Sequence, residues 1–215
     1  MGEVSASPAE ADARTDARAV QGVRTLSAAH ERPWPHHVLT HPMPRVDAIW
    51  NHPIYQRELQ AIERLERGRA YCRHGLSHLL DVARLAWIIN LEQGLGLDRE
   101  LVYAAALLHD IGRARQCEQG IPHDQAGEAL TREILGTVEE GQRFGADEQE
   151  TILGAVRGHR SRSDGDDAPE LGTPAPTALA FVLRVADKAS RPCYACPARH
   201  TCNWPDGKKN LRIGW

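Results

Sequence analysis

The chain has few aromatic side chains, only two of them phenylalanine, and only two methionines among its 215 residues. Any core must therefore be filled with Val, Ile, Leu and Ala. Long apolar runs are missing too. The longest, Leu101–Leu108, falls far short of the roughly 20 residues needed to span a bilayer. The N-terminal segment shows no apolar stretch of the kind that directs export, so no membrane location is expected. Neither sign of charge dominates: 26 Lys and Arg face 29 Asp and Glu, a net charge of −3. Bulk electrostatics thus give no reason to expect a nucleic-acid partner. No segment alternates apolar and polar residues at strand spacing and no internal repeat is visible, so the expected fold class is all-α. The five cysteines are an odd number and three cluster near the C-terminus, a poor basis for a disulfide framework. With eleven histidines, they point to a reducing cytoplasm and to metal binding.

What is present reads as one domain with tails. Residues 1–44 are rich in Ala, Glu, Arg, Pro and Ser without a sustained apolar period, and are expected to be a disordered tail. A helical body is expected over 45–190 and a cysteine-rich tail over 191–215. Within the body, Leu59, Ile62 and Leu65 mark an amphipathic helix over roughly 53–66, and Leu76, Leu79, Leu80 and Ala83 mark another over 74–91. The densest apolar segment is a central helix with Asp98 as its N-cap and Gly112 as its stop. His109 and Asp110 lie at its inner end. A polar loop is expected over 114–122. Beyond it, one helix is capped by Asp124 and runs through Leu135, another covers 147–159, and a last helix covers 177–190. The Ser-, Gly-, Asp- and Pro-rich stretch 161–176 is expected to be a surface loop.

Six metal-capable side chains fall on or at the ends of these helices: His78, His109, Asp110, His123, His159 and Asp187. A single histidine on an apolar face is ordinarily a hydrogen-bonded core residue. Six such residues would each need a separate buried partner, whereas one shared metal centre satisfies them all. Imidazole and carboxylate without thiolate suit Fe or Mn, with Zn also possible. The cations beside these positions, Arg113 and Lys188 first and then Arg160 and Arg191, are of the type that contacts phosphate oxygens.

In order and spacing, these residues resemble the HD superfamily of metal-dependent phosphohydrolases. The matching segments are His78-x-x-x-Val82-Ala83, Leu107-Leu108-His109-Asp110-Ile111-Gly112 and Val185-Ala186-Asp187-Lys188, over about residues 70–190. The resemblance implies a helical bundle around a buried metal site. It implies that His78, His109, Asp110 and Asp187 hold one metal, with Asp110 bridging to a second held by His123 and His159. His123 and His159 place the chain nearest the two-metal subset, which contains dinucleotide hydrolases, cyclic-dinucleotide phosphodiesterases and mixed-valent di-iron oxygenases. The implied activity is hydrolysis of a nucleotide or other small phosphate ester, with Asp110, Arg113 and Lys188 in the catalytic machinery. The alternatives are a di-iron oxygenase on the same ligands and a non-enzymatic redox- or metal-sensing module. The chain is also similar to bacterial HD proteins with a cysteine-rich C-terminus.

The cysteines form a separate pattern. Cys193-x-x-Cys196 and Cys202 supply three thiols, one short of a tetrahedral set. Cys72 is the preferred fourth ligand, with His200 as a nitrogen option and Cys117 as an ordinary loop thiol. Cys72 precedes His78 by six residues and Cys193 follows Asp187 by six. If the two helices run antiparallel, both cysteines lie roughly 9 Å along the same direction. The spacing resembles the iron–sulfur staple of RecB-type nucleases, and the expected occupant is a [4Fe–4S] cluster or a structural Zn.

Overall fold

The structure, a computed structural model, describes residues 41–160, 169 and 172–214. Most of the N-terminal segment, the acidic run Asp164–Asp167 and Trp215 lie outside these residues. Among the described residues all regular structure is helical, as the patterning predicts. The helices are α1 (Pro44–Trp50), α2 (Pro53–Leu65), α3 (Leu76–Glu92), α4 (Arg99–Leu108), α5 (Arg113–Gln119), α6 (His123–Thr137), α7 (Ala146–Gly158) and α8 (Ala175–Ala189). Three short 3₁₀ turns accompany them, at Glu140–Gln142, Cys193–Ala195 and Asp206–Lys208.

Helix α4 is apolar beyond its first turn, and Leu101, Val102 and all residues from Ala104 to Leu108 are buried. A helix of that composition has no solvent face to offer and takes the centre. Helices α3, α7 and α8 pack around it, and α1 lies against its N-terminal half. The Asp98 carboxylate accepts a hydrogen bond from Leu101 N at 3.1 Å, as an N-cap should. Arg45 ties the start of α1 to this end, pairing with Asp98 (2.7 Å), Glu100 (3.3 Å) and Glu148 (2.9 Å).

The central helix stops at Leu108, earlier than Gly112. His109 and Asp110 therefore lie in the turn beyond it, outside the helix itself. The expected loop over 114–122 is instead largely helix α5, closed by Gly120 at φ 72°. Only Ala114 of α5 is buried, so the segment shows no apolar period, and its helicity is supported by packing against α2 and α6. Helix α6 begins at His123 after Pro122, so Asp124 sits in the first turn and is not the N-cap. Helix α1 was not anticipated separately from α2.

Candidate metal centre

The six metal-capable residues are brought together from five elements. His78 is in the first turn of α3, His109 and Asp110 follow α4, His123 opens α6, His159 closes α7, and Asp187 lies in the last turn of α8. Helix ends thus converge on Asp110. His78 Nε2 is 3.5 Å from Asp110 Oδ2 and 3.5 Å from Asp187 Oδ1. His109 Nε2 is 3.2 Å from Asp110 Oδ2 and 4.0 Å from Asp187 Oδ1. On the other carboxylate oxygen, Asp110 Oδ1, His123 Nε2 stands at 3.3 Å and His159 Nε2 at 3.8 Å. Two ligand groups result, His78–His109–Asp110–Asp187 and Asp110–His123–His159, each with its ligand atoms within 4.8 Å of one another.

The outer ring nitrogens show what the inner ones are for. His109 Nδ1 is 2.6 Å from the Ala106 carbonyl, and His159 Nδ1 is 2.6 Å from the Val156 carbonyl. A carbonyl only accepts, so both Nδ1 atoms carry the proton. His123 Nδ1 lies 2.7 Å from Gln116 Oε1, again an acceptor. Ser190 spends its one hydroxyl proton on the Asp187 carbonyl (2.8 Å) and so accepts from His78 Nδ1 at 3.3 Å. In its neutral form each of the four histidines therefore turns an Nε2 lone pair inward. The lone pairs of His123 and His159 face each other at 3.2 Å. The Nε2 atoms of His78 and His109 are buried without a hydrogen bond. Lone pairs and carboxylates converging in a buried space call for a cation, and outward Nδ1–H bonds are the usual support of metal-bound imidazole. The residues fit a metal.

The electrostatics separate the two ligand groups. Burial alone would raise the Asp110 carboxyl, but His109, His78 and Arg113 outweigh it and hold the group well below the ordinary carboxylate value. Burial alone would lower His109, and the adjacent Asp110 charge overrides it and raises the imidazole. Burial, followed by the Arg113 charge, lowers His123 to about 3. Burial and the neighbouring His109 also lower His159. His123 and His159 are thus neutral donors near pH 7.

Arg113 is committed to the chain. Its Nε donates to Asp110 Oδ1 at 3.0 Å and its Nη2 to His74 Nε2 at 3.0 Å. An arginine cannot accept, so His74 Nε2 is unprotonated, and Nδ1–H donates to Glu66 Oε1 at 2.7 Å. Glu66 and His74, which are buried and continue the row to the partly exposed Arg113 and to Asp110, were missed from the sequence, as were Gln116 and Ser190. Its one visible signal is the four-residue offset of His74 from His78. Lys188 is exposed in the last turn of α8. Arg160 stands 3.9 Å from Asp124. Arg191 turns into the C-terminal segment, where its guanidinium lies 4.8 Å from the Trp204 ring. Cys72, Cys193, Cys196 and Cys202 are unpaired and half-buried, and Cys117 is exposed on α5. His200 is exposed beside Arg199. Trp204 is 46% exposed.

Several known proteins are similar. An uncharacterized protein of Clostridium beijerinckii is 37% identical over 171 residues, which cover 80% of this chain and 99% of that one. Ribonuclease Y of Sulfurovum sp. is 30% identical over 114 residues, 53% of this chain and 20% of that protein. Ribonuclease Y of Thermus thermophilus is 35% identical over 113 residues, 53% and 17% of the two chains. The chain thus spans about a fifth of the ribonuclease Y proteins it matches. A crystal structure of a predicted HD superfamily hydrolase from an uncultured Thermotogales bacterium superposes with a TM-score of 0.46 at 23% identity, over 63% of this chain and 65% of that one. The HD domain family itself matches residues 75–191, the stretch that carries all six converging residues, and the chain belongs to the HD domain family.

Proposed function

We propose that the chain is a metal-dependent phosphohydrolase acting on a nucleotide or another small phosphate ester. The observation that carries this reading is the doubled ligand arrangement: Asp110 offers one oxygen to His78 and His109 and the other to His123 and His159. His78, His109, Asp110 and Asp187 would hold one divalent metal, and Asp110, His123 and His159 a second. Bound metals would supply Lewis-acid polarisation of a phosphoryl oxygen and a water acidic enough to attack near neutral pH. Donors of this kind suit Fe or Mn, and Zn less specifically.

The protein's own contribution is placement. Arg113 and the helix ends hold the Asp110 carboxylate, and backbone carbonyls fix the His109 and His159 rings. The His78 and Asp187 side chains are the partly exposed members of the set, at 12% and 31%, so a phosphate ester would enter on their side. Lys188 and Arg160 each follow a ligand residue directly and are the cations available to its anionic oxygens. Arg113, with its nitrogens engaged, is a positioning residue that keeps Asp110 ionised and oriented. The relatives named ribonuclease Y support a phosphoester substrate, and they favour an RNA phosphodiester as the second reading.

The test is a panel of nucleotides, dinucleoside polyphosphates, sugar phosphates and short RNAs, incubated anaerobically with Mn²⁺ or Fe²⁺. Phosphate or nucleotide release that vanishes in Asp110→Ala is the expected result. Cleavage confined to RNA would replace the small-ester reading. A silent panel with fully metallated protein, together with a mixed-valent iron signal in electron paramagnetic resonance and oxygen uptake, would overturn hydrolysis in favour of an oxygenase.

A further inference from the structure

The segment after α8 holds a defined path without a core of its own. Its ordered features are two 3₁₀ turns and a set of local bonds, yet none of the described residues 190–214 is buried. Tyr194, Trp204, Leu211 and Ile213 are all exposed. A stretch this short and this poor in buried apolar surface normally requires a covalent or metal staple.

Two anchors dock it. Asn210 Nδ2 donates toward the carbonyls of Lys188 (2.7 Å), Ala189 (3.1 Å) and Arg191 (2.9 Å), closing the tail back on the end of α8. Tyr71 Oη donates to the Thr201 carbonyl at 3.1 Å across 130 residues of sequence. That bond joins the residue before Cys72 to the residue before Cys202. The electrostatic neighbours of the Cys72 thiol are Cys193, Cys196 and Cys202, together with the Arg191 guanidinium. Four unpaired thiols from two distant segments therefore share one neighbourhood, in a segment without a buried apolar side chain among its described residues.

We infer that Cys72, Cys193, Cys196 and Cys202 are the thiolate ligands of a structural [4Fe–4S] cluster that staples the C-terminal segment to the turn preceding α3. A four-cysteine set serves either a cubane or a single Zn. Spacing favours the cubane. A tetrahedral Zn with Zn–S bonds of about 2.3 Å would draw its sulfurs to about 3.8 Å from one another. Among the described residues, the groups gathered within 4.8 Å are the two His/Asp sets, and the four thiols are not among them. A cubane places each thiolate on a separate iron and spreads them more widely. Arg191 beside the thiols offsets part of the negative charge that such a cluster carries. The site shares no residue with the His/Asp centre.

The full chain should be isolated anaerobically and assayed for iron, zinc and acid-labile sulfide. About four sulfides per chain are expected, retained in Asp110→Ala and lost in Cys72→Ser and Cys196→Ser. Because a cysteine variant can fail to fold, native wild-type protein should also be alkylated with iodoacetamide and mapped by mass spectrometry. Modification of the exposed Cys117 alone is expected. One Zn per chain without sulfide, lost in Cys72→Ser, would overturn the cluster. Ready alkylation of all five cysteines in the folded protein would overturn any metal at this site. Sulfide does not report on the His/Asp centre, so failure here leaves the proposed hydrolase reading untouched.

Discussion

Gln116 Oε1 holds the His123 ring by a 2.7 Å bond to Nδ1. Gln116→Ala removes the acceptor and frees both the tautomer and the ring angle. Loss of such a partner typically weakens metal binding by about 10–100-fold, and Mn²⁺ titration by calorimetry should show that drop at the Asp110–His123–His159 group. An unchanged isotherm would mean that the ring is fixed by packing alone. Glu66 is buried one step further out. Burial alone would raise its carboxyl, but the side-chain and backbone hydrogen bonds from His74, with the Arg69 charge beside it, hold it below the ordinary value. A carboxyl whose folded value is depressed stabilises the fold above its unfolded value of 4.5 and loses that contribution as pH falls through the folded value. Glu66→Gln should therefore be about 1–3 kcal/mol less stable than wild type at pH 7. The gap should narrow below pH 4.5 in urea melts, and a gap independent of pH would refute the assignment.

The joint between α4 and α6 depends on one missing side chain. A Cβ on Gly112 would strike the His123 carbonyl and the Gly127 amide, both backbone atoms that cannot swing aside. Gly112→Ala must push the start of α6 away, and overpacking of this sort costs about 1–3 kcal/mol. It also moves His123 from Asp110. Thermal melts should show the loss of stability, and metal analysis should show the His123–His159 group emptied before the His78–His109 group. Gly154→Ala is the control: it lies mid-helix in α7 with nothing within 4 Å of the new Cβ. It should hold or gain up to about 1 kcal/mol through helix propensity. Equal damage from both substitutions would remove the steric argument. At this scale the sequence is readable where apolar period and length coincide, as in α2, α3, α4, α7 and α8. It is unreadable in α5, whose seven residues bury only Ala114, and in the turn that carries His74, where no period marks a buried side.

Over the whole molecule, helices α3, α4, α6, α7 and α8 each bring one end to the group around Asp110, so occupation of the centre should lock the bundle. A ligand that binds only the folded state stabilises it by about 2.7 kcal/mol at one hundred times its dissociation constant. Mn²⁺ should accordingly raise the melting midpoint of metal-free protein in a concentration-dependent way, and EDTA should reverse the rise. Asp110→Ala should show neither effect, since it removes the carboxylate common to both ligand groups. A rise of the same size in that variant would place the stabilising metal elsewhere. Among the described residues no helix is long and apolar enough to cross a membrane.

By itself, the sequence determined the helical class, the centrality of Leu101–Leu108 and the identity of the six metal-capable residues. These are properties of composition and spacing: an aliphatic helix without a polar face has nowhere to lie but the centre, and buried imidazoles and carboxylates must share a partner. The tertiary structure alone decided the rest. It placed His109 and Asp110 in a turn, because the close approach of α6 at Gly112 ends the helix early. It set every Nδ1 outward against a carbonyl, amide or hydroxyl acceptor, which no spacing rule contains. It assigned Arg113 to Asp110 and His74, and it brought Tyr71 to Thr201, and so Cys72 toward the C-terminal cysteines, across 130 residues. Contacts between segments so distant follow from packing in three dimensions and leave no period along the chain.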